Sequence, residues 1–456
     1  MLRATRNNQS APGKGVQMRF GPRLVLRLSV LLLFASCVRG QDFFSNTSGP
    51  RSTALGGAYV ISSSDVLGAL SANPAGLTVL RGHELNLEAD ADFARGSFSD
   101  SVNADSPLHT SAGVIPYGAF GMPIGRSRFS FGVGVLPEMA SVANWRYVDA
   151  PGAAGASYGL QQQKSAIVNV RAVAGVGFTV SSRLSIGATL GANYNQNTLD
   201  APYTFQSQPV LAGLKTLLGM HTEGVGWNAG AGVLLRATRK VHVGGAWKSR
   251  TVIDTTGHAR GDVGAQFAAL GIDAPSQFAY TAHVQNVLPQ SLLANVAWQA
   301  THRWVFAFQT DWTNWSDAFV RLPITLTNGT NATMNSLVGS DSLQDSVPLH
   351  WKDQYGFHVG AERSLTESTV ARFGYAFAND PVPSATLTPL TAAILSNQLS
   401  TGFAYRPGHS TWEIAYTFRP TAEAHVGQSS LRSGEYDNST VHVGAQSLMV
   451  GYSFRF

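Results

Sequence analysis

Beyond residue 40 the chain alternates apolar with polar or small residues in segment after segment. Nowhere does it string together the roughly 18 apolar residues that a membrane-crossing helix needs. The clearest case sets Ala166, Val168, Val170, Ala172, Ala174, Val176, Phe178 and Val180 against Ser165, Asn169, Arg171, Gly175, Gly177 and Thr179, with Ile167 and Val173 as apolar exceptions on the second side. After Ser181-Ser182-Arg183 the pattern resumes: Leu184, Ile186, Ala188, Leu190, Ala192 and Tyr194 alternate with Ser185, Gly187, Thr189, Gly191, Asn193 and Asn195. A period of two places alternate side chains on opposite faces of a strand, and two such runs joined by a short turn make a hairpin.

About fourteen such segments follow one another, near 84–94, 112–125, 127–137, 164–180, 184–197, 223–238, 241–252, 289–301, 304–314, 351–363, 369–378, 398–407, 411–418 and 441–456. Turns of a few residues near 126, 182, 239, 302, 366 and 409 alternate with long connections. An even strand number with short turns at one end and long loops at the other describes a closed transmembrane barrel. Closure matters because lipid satisfies no unpaired strand edge. The expected fold is therefore all-β, a transmembrane antiparallel β-barrel of about 14 strands over 84–456. The ending Leu448-Met449-Val450-Gly451-Tyr452-Ser453-Phe454-Arg455-Phe456 is apolar at every second residue and stops on an aromatic, which suits recognition by the barrel assembly machinery.

Charge separates the first 40 residues from the rest. The chain has a net charge of +5, yet Arg3, Arg6, Lys14, Arg19, Arg23, Arg27 and Arg39 all fall in residues 1–40, with no acid among them. Subtracting those seven from +5 leaves −2, so the basic balance is no argument for a nucleic-acid partner. Basic residues followed by the apolar run Leu28–Ala35 and small residues predict a secretory signal peptide over 1–40. Cys37, the single cysteine, lies within it, and Phe34 argues against a lipid-attachment reading of Phe34-Ala35-Ser36-Cys37. The exported chain then has no thiol for a disulfide, for catalysis or for a metal.

Residues 41–83 carry no alternation. They run through Gly49-Pro50-Arg51-Ser52-Thr53-Ala54-Leu55-Gly56-Gly57 to Asn73-Pro74-Ala75-Gly76-Leu77 just before the first strand. This segment resembles that of the FadL family of outer-membrane long-chain fatty acid transporters, which includes TodX-type aromatic hydrocarbon channels. Trp247-Lys248-Ser249-Arg250, Leu288-Pro289-Gln290-Ser291, Asp311-Trp312-Thr313-Asn314-Trp315, Trp351-Lys352-Asp353, Arg372-Phe373-Gly374-Tyr375 and Asp380-Pro381-Val382-Pro383 continue the resemblance in family order. One departure is an acidic cluster thinned to Ser62-Ser63-Ser64-Asp65.

The resemblance implies a hatch over 41–83, with Asn73, Pro74, Ala75, Gly76 and Leu77 as its motif, blocking the lumen of a monomeric barrel. It implies diffusion of hydrophobic molecules across the outer membrane of a Gram-negative bacterium, with long-chain fatty acids as the leading substrate and aromatic hydrocarbons as the alternative. Outer-membrane lipid surrounds the wall, and no cofactor or metal is required. Two apolar loop stretches, Val210–Met220 read as a short helix and Gln266–Leu270, offer Leu211, Leu214, Leu217, Leu218, Phe267 and Leu270 either to a ligand groove or to one another as a closure of the barrel top. Arg171 and Arg372, with Lys248, His358 and Glu362, are expected to face the lumen. There they would serve either a ligand carboxylate or each other. Gly132, Gly134 and Pro137 in the third strand are candidates for a lateral gap in the wall.

Enzyme motifs are absent: the chain has no Gly-x-Ser-x-Gly elbow, phosphate loop or His-Glu-x-x-His helix. A lipase built on His358 and a neighbouring serine is a minor rival. A general porin or structural barrel is a larger one, opposed by the plug-like segment and the apolar loops.

Overall fold

A computed structural model describes residues 48–63, 65–109 and 113–456; the expected signal peptide and Ser64 lie outside the described residues. Fourteen antiparallel strands close into a barrel. They are β1 Glu84–Ser99, β2 Gly113–Pro123, β3 Phe129–Val148, β4 Leu160–Thr179, β5 Leu184–Thr204 and β6 Lys215–Arg236, followed by four strands each in two segments. Those four are β7 (Val241–Lys248, Thr251–Asp262), β8 (Gln277–Leu288, Ser291–Gln299), β9 (Trp304–Thr313, Arg321–Thr327) and β10 (Leu343–Pro348, Gln354–Ser364). The circuit ends with β11 Thr369–Ala378, β12 Asn397–Tyr405, β13 Ser410–Val426 and β14 Ser439–Arg455. A two-residue patch, Ser106–Pro107, pairs on β1. Closure comes from β1 against β14, in register from Glu84 opposite Arg455 to Ser99 opposite Thr440. At the seam Phe456 and His83 exchange backbone hydrogen bonds of 3.0 and 3.1 Å.

The alternation read from sequence is the lipid-facing side of this wall. Leu87 and Phe93 of β1, Val225 and Trp227 of β6 and Phe357 of β10 are exposed, while Glu84, Asn86, Asp90, Asn228 and His358 on the opposite faces are buried inside. The strands nevertheless run well past the expected boundaries on the long-loop side. β6 has 22 residues, about twice the 9–11 that span a bilayer. Above Val225 its outward positions become Glu223 and His221, so the apolar signal stops where the wall leaves the lipid and the ladder continues. For the same reason the helix expected over Val210–Met220 is absent. Lys215–Met220 opens β6, paired with β5 from Lys215 opposite Thr204, and turns lead into it.

Among the described residues there are five short α-helices: α1 Pro50–Ala54, α2 Val66–Ser71, α3 Gly264–Ala269, α4 Trp315–Ala318 and α5 Ala332–Val338. α1 and α2 belong to the N-terminal segment, which packs inside the turn-side half of the barrel. α4 sits in the interruption of β9, where Trp315, Phe319 and Trp351 meet with ring centroids 4.8–5.2 Å apart.

Candidate functional site

The lumen divides into three levels. At the turn side the wall presents glycines inward, and the N-terminal segment takes the space they leave. A Cβ on Gly187 would overlap the Pro74 backbone, one on Gly232 the Asn73 side chain, and one on Gly374 the backbone of Leu55 and Gly56. Close packing at this density tolerates no added methyl without a shift. Local capping shapes the segment itself. Asp65 accepts from Gly68 N at 2.6 Å to start α2, and Asn73 accepts from Ala75 N at 3.0 Å to start the 3-10 turn Pro74–Val79. The Asn73 amide also donates to the carbonyls of Val233 (3.0 Å) and Gly245 (3.1 Å) on β6 and β7. Val66, Leu67, Leu70 and Leu77 bury themselves against Tyr117, Leu136 and Val173 of β2, β3 and β4.

Charges lock this level. Arg51 donates to Glu362 at 3.0 and 3.1 Å. Arg372, fully buried, lies 2.8 Å from Glu362 and 2.7 Å from Glu413. His358 places Nδ1 2.7 Å from the Gly56 carbonyl and Nε2 3.0 Å from Asp311, so both ring nitrogens are engaged in holding the segment. Arg372 and His358 thus pair with other residues of the chain around the N-terminal segment, the mutual-pairing alternative, and neither lines the loop-side cavity described below.

The middle level is a polar belt. Arg171 donates to Asn228 Oδ1 at 3.0 Å and to Thr189 at 3.2 Å. Lys248, at the break in β7, ion-pairs with Glu138, the residue at a register shift between Pro137 and Met139 of β3. Beside that shift the wall is incompletely laddered. β2 and β3 pair only from Gly118 opposite Val135 to Pro123 opposite Ser130, whereas Gly113–Tyr117 pair with β1 alone. Gly132 and Gly134 therefore stand within the paired part, opposite Gly121 and Ala119, contrary to the expectation that they weaken it. Gly132 instead leaves room for Leu77 and Val66. Pro137 lies past the end of the ladder.

The loop-side level holds a cavity of about 180 Å³. Met139, Ile167, Leu199, Met220, Val284 and Ile324 form its apolar wall, and Phe319, Trp351, Leu390 and Leu431 help to roof it. None of the residues expected from sequence to bind ligand lines it. Leu211, Leu218 and Phe267 are buried in one cluster with Phe205 and Phe278 that closes the top, and Leu214 packs against it. Leu217 is half-buried and Leu270 is exposed. The signal that sequence reading passed over is the apolar exception on a polar face: Ile167 lines the cavity and Val173 packs on the N-terminal segment.

No Arg, Lys or His lines the cavity, and its one charged residue is Glu435. That carboxylate is taken by Lys215, fully buried, whose Nζ lies 2.9 Å from Glu435, 2.5 Å from Asp149 and 2.6 Å from the Ala150 carbonyl. Burial raises the Glu435 carboxyl above its ordinary range against the opposing pull of Lys215. Asp345 anchors the neighbouring loop by accepting from the Tyr203 hydroxyl (2.6 Å) and from the backbone N–H of Gln206 and Gln208.

Solved structures share this architecture. The Pseudomonas putida toluene transporter TodX superposes with a TM-score of 0.74 at 18% identity, covering 90% of this chain and 99% of that one. The Ralstonia pickettii toluene transporter TbuX gives 0.69 at 17%, covering 90% and 99%. A Pseudomonas aeruginosa FadL homologue gives 0.71 at 16%, covering 90% and 98%. No curated protein sequence matches the chain. The model of the outer membrane protein transport protein family (OMPP1/FadL/TodX) matches residues 41–456, and the chain belongs to that family of Gram-negative outer-membrane transport barrels.

Proposed function

We propose that this barrel passes small, neutral hydrophobic molecules of the monoaromatic hydrocarbon class. The observation that carries this reading is the cavity lining. A fatty acid presents a carboxylate that needs Arg or Lys at one end of its pocket; among the described residues none lines this cavity, and its one carboxylate, Glu435, is already paired with Lys215. Its volume of about 180 Å³ is close to the roughly 150 Å³ of apolar space that holds a benzene. The similar structures of TodX, TbuX and CymD, named as toluene transporters and a monoaromatic hydrocarbon channel, support the same class over the fatty acids favoured by the sequence reading.

In this reading residues 41–83 act as a hatch, with Asn73–Leu77 as its anchor on β6 and β7. The ligand leaves the cavity past the polar belt, either by hatch movement or through the unladdered stretch of β2 and β3 beside Pro137. Apolar burial supplies the driving force at each stage, without energy input. The test is uptake of labelled toluene and labelled oleate by Gram-negative cells lacking channels of this kind, with and without the barrel. The expected result is faster toluene entry with oleate unchanged. Faster oleate entry with toluene unchanged would replace the aromatic reading by the fatty acid one. Leakage of small hydrophilic solutes alone would make it a porin.

A further inference from the structure

Just below the cavity, the inward faces of β4, β5 and β6 carry a patch of asparagines in direct register. Asn169 stands opposite Asn195, Asn193 opposite Arg171, and Asn228 opposite Gly191. Asn169, Asn193 and Asn228 are 1%, 0% and 4% exposed, and Asn197, which lines the cavity, is 6% exposed. Part of the patch is fixed. Asn195 donates to the Val168 carbonyl at 3.2 Å and accepts from Asn286 at 2.8 Å, and Asn228 Oδ1 is held by Arg171. The remainder is not. Both amide atoms of Asn169 and of Asn193, Oδ1 of Asn197 and Nδ2 of Asn228 meet no hydrogen-bond partner among the described residues.

Buried polar atoms in native proteins are almost always paired; of these, Asn197 lies on the cavity lining, and Asn169, opposite Asn195, stands on the inward face directly below it. On β4 the next inward residue above Asn169 is Ile167; on β5 it is Leu199 above Asn197, and both line the cavity. At the cavity floor the open atoms are Oδ1 of Asn197 and the N–H₂ and carbonyl oxygen of Asn169. A carboxylate only accepts hydrogen bonds and would leave the carbonyls unmatched, while a methyl group would match nothing. A hydroxyl donates and accepts.

The geometry points to a binding subsite for a neutral hydroxyl group, which makes phenol-class molecules ligands of this barrel, with the ring in the cavity and the hydroxyl on the asparagine patch. This subsite rests on the aromatic reading above and narrows it, because toluene and phenol fill nearly the same volume and only phenol engages the amides.

The test uses the full barrel in lipid nanodiscs, titrated with phenol and separately with toluene. Affinities come from calorimetry, and the asparagine side chains are followed through their ¹⁵N amide resonances. Phenol is expected to shift the Asn169 and Asn197 resonances, and toluene to leave them in place. In Asn169→Leu/Asn197→Leu, the phenol-to-toluene affinity ratio falls roughly three- to tenfold, the worth of one or two neutral hydrogen bonds. Amide resonances indifferent to phenol in the unaltered barrel overturn the subsite even if the double variant does not assemble. So does a phenol-to-toluene affinity ratio unchanged by the substitutions. Failure of both ligands to bind would sink the aromatic reading itself, and the subsite with it.

Discussion

The two ends of the lumen are held by the same device and enclose opposite things. At the turn side a fully buried Arg372 lies between Glu362 and Glu413; at the loop side a fully buried Lys215 lies between Asp149 and Glu435. Around Arg372 the inward wall is glycine, so its volume goes to the backbone of residues 48–83. Around Lys215 the inward wall is methionine, leucine, isoleucine and aromatic, and these side chains leave a shaped apolar space. Inward side-chain size, more than the charges, decides which half is filled by the chain and which is left as a cavity.

The strongest way to break this comparison is to remove each cation. Arg372→Met takes a cation from Glu413 and from Glu362, which keeps Arg51, and Lys215→Met takes one from Asp149 and Glu435; each should cost about 3–5 kcal/mol in thermal unfolding of the barrel. The consequences should separate. Arg372→Met should expose residues 48–83 to protease with toluene affinity retained, and Lys215→Met should lower toluene affinity with those residues still protected. Crossed outcomes would show that the two halves are one cooperative unit.

Overpacking gives a smaller effect. Gly374→Val drives side-chain atoms into the backbone of Leu55 and Gly56 and should destabilise the packed segment by about 1–3 kcal/mol, read as faster hydrogen exchange at residues 50–56. Gly219→Ala on the loop-side half, where the nearest neighbour to an added Cβ is Arg260 O at 3.9 Å, should stay within about 0.5 kcal/mol. Equal effects at the two positions would remove the glycine argument.

On the cavity side, Ile167→Trp should fill the space and lower toluene affinity at least about tenfold, near 1.4 kcal/mol, without altering protection of residues 48–83. Unchanged affinity by calorimetry would mean that the ligand binds elsewhere.

A separate effect is expected of pH on the packed segment. Burial, reinforced by the charge of Glu84, raises the Asp65 carboxyl from 3.8 to about 6. The packed segment therefore holds its proton more tightly than a displaced one. Its stability is greatest below about pH 4, declines as pH rises toward about 6, and is level above that. Hydrogen exchange at residues 66–71, corrected for its intrinsic pH dependence, should accelerate across that window by about tenfold for each pH unit. Asp65→Asn keeps an N-cap and should flatten the profile; a slope that persists in this variant would assign it to another group.

Much of the wall was legible because lipid imposes a rule on every second residue. Leu184 to Tyr194 and Leu85 to Phe93 had to alternate, and the fourteen strands follow. Legibility stopped at the bilayer surface. Above Val225 the outward residues of β6 turn polar, so Lys215–Met220 read as an apolar loop helix although it continues the ladder. The cavity was hidden for a related reason. Ile167 looks like a lapse in a polar face until Leu199, Met220, Val284 and Ile324 from other strands meet it. Arg171 and Arg372 were placed inside the barrel correctly, but their partners Asn228, Glu362 and Glu413 lie on strands that only barrel closure and register bring opposite them.

Export, the barrel, its strand number and its likeness to a transport family were thus set by local pattern, since period, turn length and terminal motif are properties of consecutive residues. Which arginine pairs around the N-terminal segment and which residues line the cavity were decided by the tertiary structure. Those roles depend on distances between strands far apart in the chain, and on how much volume each inward side chain leaves once the wall has closed.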